Sequence, residues 1–219
     1  MTPRPRKVSD EAIYAAVIRA MGRLGPADLT LAEIAAEAGL TASAVVQRFG
    51  SKRALLLTLS EQHAASTEGF ITGLEAAHRS PLAALRVYAD CMAGLAVSPT
   101  ALFRSLAYLQ IDLTDPEFRT HLEAQARGTR AGLESLIASA KRAGELTAGT
   151  DPARLARTVE AVLSGSMLTW GFYQRGTAAR WMRDDLEAVL APYLPPAARR
   201  VRGAASAPKP GSPKGVRHS

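Results

Sequence analysis

The sequence predicts an all-α protein, with a three-helix unit containing a helix-turn-helix at its N-terminus and a larger helical domain behind it. Three observations carry that expectation. Alanine is abundant and aromatic residues make up only 5%, so helix formers far outnumber the residues that strands favour. Apolar side chains recur at spacings of three and four, and no alternating pattern competes with them. Ser-Pro and Asp-Pro pairs punctuate the second half, each placing a cap before a proline that suits the first helical position. The 219 residues suffice for one or two modest domains with a real core.

Each element has its own local reason. Residues 1–8 form a Pro/Arg arm carrying Arg4, Arg6 and Lys7. Ser9 is a fitting N-cap, and Asp10 and Glu11 lie in the first turn, where the helix dipole favours acids. Ile13, Ala16, Val17, Ala20 and Leu24 then mark one face, and Gly25-Pro26 stops the helix. Thr30 with Glu33 is a capping box that opens a second helix, which ends at Gly39. Thr41 caps a third, short helix whose core anchors are Val45 and Phe49. Ser51 caps a long fourth helix over 51–77. Further helices are expected over 81–96, 99–111, 115–143, 151–175 and 178–193, with breaks at the cap-proline pairs and at Gly144, Gly149 and Gly176. The stretch after Leu194 is rich in Pro, Gly, Ala and Ser and cannot bury enough surface to order itself, so 195–219 is expected to be a disordered basic tail. The domain reading is therefore arm 1–8, helix-turn-helix unit 9–53, helical domain 54–194 and tail 195–219.

The net charge of +7 is uneven, because Arg199, Arg200, Arg202, Lys209, Lys214 and Arg217 fall in the tail with no acid beside them. Basic ends suit a polyanionic partner, although a basic tail also serves as a solubilising segment. One cysteine, Cys91, excludes an internal disulfide and is compatible with a reducing cytoplasm. No apolar run is long enough for a membrane span, and "MTPRPRKVSDEA" has no apolar segment behind its charges. A cytoplasmic protein without membrane contact is the expectation.

The segment "EIAAEAGLTASAVVQRFGSK" carries the functional reading. Two helices joined by Gly39-Leu40-Thr41 make a helix-turn-helix, with glycine supplying the left-handed corner and Leu40 pinning it. A third helix held by two anchors leaves Ala42, Ser43, Val46, Gln47 and Arg48 facing outward. In nucleic-acid-binding proteins that outer face enters the major groove. Gln47 suits a bidentate contact to adenine, and Arg48 a guanine or a phosphate. Thr30 and Thr41 sit at helix N-termini, where hydroxyl and N–H groups receive phosphate. Lys52 lies in the first turn of the fourth helix, an unfavourable place for a cation unless a phosphate also lies there. Taken singly, Gln47 and Lys52 read equally well as solvated surface residues, and the helix-glycine-helix spacing also occurs in ordinary bundles.

"AIYAAVIRAMGRLG" followed by "LTLAEIAAEAGLTASAVVQRFGSKRALL" resembles the N-terminal domain of the TetR family of bacterial repressors, over about residues 10–57. The resemblance implies a double-stranded DNA partner, with Thr30, Thr41, Ala42, Ser43, Val46, Gln47, Arg48 and Lys52 as contact residues. Val46 departs from the family pattern, which has a phosphate-contacting Tyr there, and Gly50 replaces a common Pro. The resemblance further implies that the larger domain senses a small molecule and dimerises, so that two third helices meet a palindromic operator. Along 151–175, Leu155, Val159, Val162, Ser166, Met167, Trp170 and Tyr173 form one apolar stripe, while Ala161, Gly165, Leu168 and Phe172 form another. A helix apolar on two faces needs two covers, and with 178–193 it is the expected homodimer surface, the alternative being the centre of a monomeric bundle. Cys91, Met92, Phe103, Tyr108, Met167 and Trp170 offer the soft and aromatic groups of a pocket for an apolar or aromatic effector, and equally those of an ordinary core. Asp112, His121 and Arg104 could add polar handles, and Gly69–Gly73 in the fourth helix is the expected point where an effector would act.

The remaining signals are negative. The four histidines share no metal-ligand spacing, there is no phosphate-binding glycine loop, and "LSGSML" lacks the second glycine of a nucleophile elbow. No metal, no cofactor and no catalysis are expected. The readings left standing are a ligand-responsive DNA-binding regulator, a helical ligand-binding or scaffold protein without sequence-specific DNA binding, and a nonspecific DNA-binding protein driven by the basic arm and tail.

Overall fold

A computed structural model describes residues 8–196, so the arm up to Lys7 and the tail from Ala197 lie outside the described residues. Within them the chain forms α1 (Asp10–Arg23), α2 (Leu31–Glu37), α3 (Ala42–Phe49), α4 (Lys52–Ala77), α5 (Pro81–Gly94), α6 (Pro99–Thr114), α7 (Pro116–Arg142), α8 (Pro152–Tyr173) and α9 (Ala178–Leu190), closed by a 3-10 turn at Ala191–Tyr193. The described residues include no strand, and no helix among them is long and apolar enough to cross a membrane.

The helix starts are chemical. Ser9, Thr30, Thr41, Ser51, Ser80, Ser98, Asp115 and Asp151 each accept a backbone N–H from the first turn of the helix that follows, and Thr177 does the same for α9. Pro81, Pro99, Pro116 and Pro152 occupy the first turns of α5 to α8, where a missing N–H costs nothing. The turn between α2 and α3 contains Gly39 at φ 67°, a left-handed conformation that side chains with a Cβ adopt reluctantly.

Two apolar cores result. The smaller gathers Ile13, Val17 and Ala20 of α1 with Leu29, Ile34 of α2 and Val45 of α3, and is sealed by Leu55 and Leu59 from the first turns of α4 and by Tyr108 of α6. The larger runs through α5, α7, α8 and α9, with Leu85, Leu133, Ile137, Leu155, Met182 and Leu186 fully buried. α4 belongs to both, because Ile71 in its far half packs into the larger core. Its partner there is α7, which approaches so closely that a Cβ on Gly132 would lie 2.8 Å from Ile71 Cδ1.

Three polar contacts tie the small unit to the large one. The Tyr108 hydroxyl donates to the carbonyl of Leu24 at the end of α1, 3.0 Å away. Arg53, in the first turn of α4, grips both carboxylate oxygens of Asp115 at the α6–α7 junction and pairs with Glu117. The same guanidinium lies over the Phe118 ring.

Candidate nucleic-acid interface and effector cavity

α3 is anchored as the spacing requires. Val45 is fully buried, and Phe49 is half-buried against Tyr14 with ring centroids 5.9 Å apart. Ala42, Ser43, Val46, Gln47 and Arg48 are all exposed. Thr41 Oγ1 accepts from the Ala44 N–H and shares a hydrogen bond of 3.0 Å with Ser43 Oγ, so the start of α3 is a compact hydroxyl cluster. Thr30 holds the start of α2 in the same way through Glu33 N–H. Gln47 makes no hydrogen bond within the described residues and projects a free amide. No carboxylate occurs between Glu37 and Glu61, so the surface built from α3 and the head of α4 carries only positive formal charge of its own.

Two basic residues are placed differently from expectation. Lys52 Nζ donates to the carbonyls of Pro26 and Leu29, at 3.0 and 2.7 Å, in a half-buried position. Its unfavourable place in the first turn of α4 is thus accounted for within the chain by these two acceptors in the α1–α2 loop. Arg48 reaches back to α1: its Nη1 donates to the Val8 carbonyl at 2.5 Å and its Nε pairs with Asp10 at 2.5 Å. The guanidinium also lies over the Phe49 ring. Arg48 therefore fastens the root of the arm to α3 rather than standing free at its tip.

A cavity of about 880 Å³ opens where the two units meet. One wall is the stripe Ala101, Ser105, Tyr108 and Asp112 on α6, spaced by three or four so that all share one face, with the cap residue Ser98 at its start. Small side chains at Ala101 and Ser105 keep it open. The facing walls come from Ile18, Met21 and Gly22 of α1 and from Leu56, Leu59, Ser60 and His63 of α4, with Met167 of α8 at the far side. Arg19 and Arg23, both salt-bridged to Glu37, stand on the rim. Burial raises the Asp112 carboxyl above the usual carboxylate range, and it pushes the Tyr108 phenol up to about 12.

Of the six residues expected to line a pocket, Tyr108 and Met167 do so. Cys91 is exposed on α5, and Met92 packs on the large core. Phe103 stacks on Phe172 at the surface, with centroids 6.3 Å apart. Trp170 is buried and donates its indole N–H to the Gly176 carbonyl. These four lie outside the lining of this cavity. His121 and Arg104 are also absent from it, and Asp112 is present. The cavity meets α4 in its first three turns, not at Gly69–Gly73. Among the described residues no His, Cys, Asp or Glu trio gathers closely enough to hold a metal ion.

On α8, Ala161, Gly165, Leu168 and Phe172 face outward, Phe172 with 65% of its surface exposed. The opposite stripe of Leu155, Val159, Ser166 and Trp170 is buried. Tyr173, expected on the inner stripe, is instead exposed and stacks on Trp181. Ser166 is occupied as a donor to Asp185 of α9.

Residues 13–59 match the family model for bacterial regulatory proteins of the tetR family, and residues 85–186 match that for the tetracyclin repressor-like C-terminal domain. No curated protein sequence matches. Among solved structures, the fold is shared with SmeT, the repressor of the Stenotrophomonas maltophilia multidrug efflux pump SmeDEF, at 23% identity over 87% of this chain and 92% of that one, with a TM-score of 0.62. The SmeT–triclosan complex aligns over 97% of this chain and 100% of that one, at 22% identity and a TM-score of 0.64. Reduced NemR of E. coli aligns over 85% of this chain and 97% of its own, at 17% identity and a TM-score of 0.67. With both halves of the architecture matched, each by its own family model and in the right order, the chain belongs to the TetR family of bacterial transcriptional regulators.

Proposed function

We propose that this chain is a ligand-responsive repressor that binds a palindromic operator as a homodimer and releases it when an apolar or aromatic small molecule enters the cavity. The observation that carries the reading is the exposure of Ala42, Ser43, Val46 and Gln47 on a short helix held by Val45 and Phe49. Gln47 has the one free amide on that face and is the residue assigned to base readout. Thr30, Thr41 and Ser43 supply hydroxyls and helix N-termini for phosphate. The outer stripe of α8, with α9 beside it, supplies the surface for a second copy. Release would follow if a molecule held between α1 and α6 favoured a different tilt of the small unit about the contacts that Tyr108 and Arg53 make with the large one. SmeT, which shares the fold, is a repressor and has been crystallised with triclosan.

Selection of bound duplexes from a random pool, followed by gel shifts, tests this. Gln47→Ala should lower discrimination at the contacted base pair by about 1–3 kcal/mol while leaving nonspecific affinity intact. A second reading, a ligand-binding protein without sequence-specific DNA binding, is favoured by apolar Val46 on the outer face and by the internal engagement of Arg48 and Lys52. Failure of the selection to yield any enriched sequence would establish that second reading over the first.

A further inference from the structure

The cavity has a chemistry beyond its apolar character. Exposed large aliphatic residues gather at it: Ile18 and Ile111 are 47% and 38% exposed, and Leu95 and Val97 at its mouth are 63% and 84% exposed. Apolar surface left open around a concave site is a place for an apolar occupant. Into that wall α6 sets one carboxylate, Asp112. It is half-buried, and no hydrogen bond or ion pair meets it in the described residues. The other charges on the lining are already committed: Arg19 and Arg23 share Glu37, and both are more than half exposed to screening solvent. His63 lies on an exposed turn of α4. A half-buried carboxylate with no partner of its own, beside this apolar surface, is best complemented by an occupant that carries positive charge.

We propose that the effector class is an apolar cation, its body lying along Ala101 and Ser105 and its charge against Asp112, in contact with α1 at Ile18, Met21 and Gly22. The proposal deepens the regulator reading and rests on it for the meaning of binding, although binding itself needs no DNA. Because α1 forms one wall, the occupant touches the DNA-binding unit directly. No relay along the length of α4 is needed.

Two probes of the same shape and opposite charge decide the matter: tetraphenylphosphonium and tetraphenylborate. Calorimetric titration of the full chain should show the cation binding at least about tenfold tighter than the anion, as expected for one partly desolvated charge contact. Asp112→Asn should abolish that preference while keeping residual binding of both probes. Ser105→Trp, which adds bulk to an exposed position on the cavity wall, should eliminate binding of both. A preference for the anion would overturn the proposal and transfer selectivity to the Arg19 and Arg23 rim. An unchanged preference in Asp112→Asn would overturn it as well. Gel shifts on a selected operator, run separately, decide whether binding releases DNA. Binding without release would sink the effector role while leaving the charge selectivity standing.

Discussion

Lys52 shows how a single residue can satisfy a functional pattern for a structural reason. At the start of a helix an ammonium opposes the dipole by a few tenths of a kcal/mol or more. Here the flexible stem carries Nζ away from its own helix end to two carbonyls of the α1–α2 loop. Charge-assisted hydrogen bonds of this kind contribute more than neutral ones. Lys52→Ala should therefore cost about 1–2 kcal/mol in urea unfolding, because both carbonyls lose a charged donor in a half-buried site. Any accompanying loss of DNA affinity should be the same for every sequence. A variant with parental stability and weakened DNA binding would instead assign Lys52 to a phosphate. Arg48 makes the same point from the other side: its fork is used on Asp10 and Val8, which leaves Gln47 as the polar side chain of α3 without a hydrogen bond among the described residues.

At the scale of elements, α4 and α7 cross in close contact. Gly132 faces Ile71, and an added methyl would meet three Ile71 side-chain atoms at 2.8, 2.9 and 3.1 Å. Gly128, one turn earlier, leaves 3.7 Å to its nearest neighbours. Gly132→Ala should destabilise by about 1–3 kcal/mol through overpacking, although alanine is the better helix former. Gly128→Ala should be neutral or gain up to about 1 kcal/mol from helix propensity. Urea midpoints of the two variants check the contrast, and equal effects would mean that α7 can shift freely along α4. The helices themselves were largely legible, because their boundaries are set by local chemistry: eight of the caps seen here are Ser, Thr or Asp residues singled out in the sequence, and four precede prolines. α6 runs on to Thr114 past the expected 111, since its stop is the Asp115–Pro116 pair. The outer face of α3 was legible for the same local reason. The cavity was not, because it is lined by residues of α1, α4 and α6 that lie far apart in the chain, and their meeting is a tertiary fact. Large and aromatic residues such as Phe103 and Trp170 drew attention by type, yet one stacks at the surface and the other fills the core.

At the scale of the whole molecule, the proposed homodimer rests on the outer stripe of α8. Leu168 and Phe172 are 36% and 65% exposed, with Phe103 stacked beside the latter at 39%. Ala161 and Gly165 precede them on the same face and let another backbone come close. A self-complementary patch of small and large residues is what a two-fold contact uses, since each copy meets the same surface in its partner. If the proposed dimer forms through this patch, the parent should sediment as a dimer at micromolar concentration and Leu168→Glu with Phe172→Glu as a monomer, because two apolar anchors of about 2 kcal/mol each would be replaced by like charges facing like charges. The protomer should keep its helical content, as neither side chain belongs to either buried core. Its unfolding midpoint should cease to depend on protein concentration, the mark of lost coupling between folding and assembly. Operator affinity should fall with it, since each α3 then binds its half-site without the effective concentration supplied by its twin. A double variant that still sediments as a dimer would place the contact elsewhere, and the open apolar mouth at Leu95 and Val97 would be the next surface to charge.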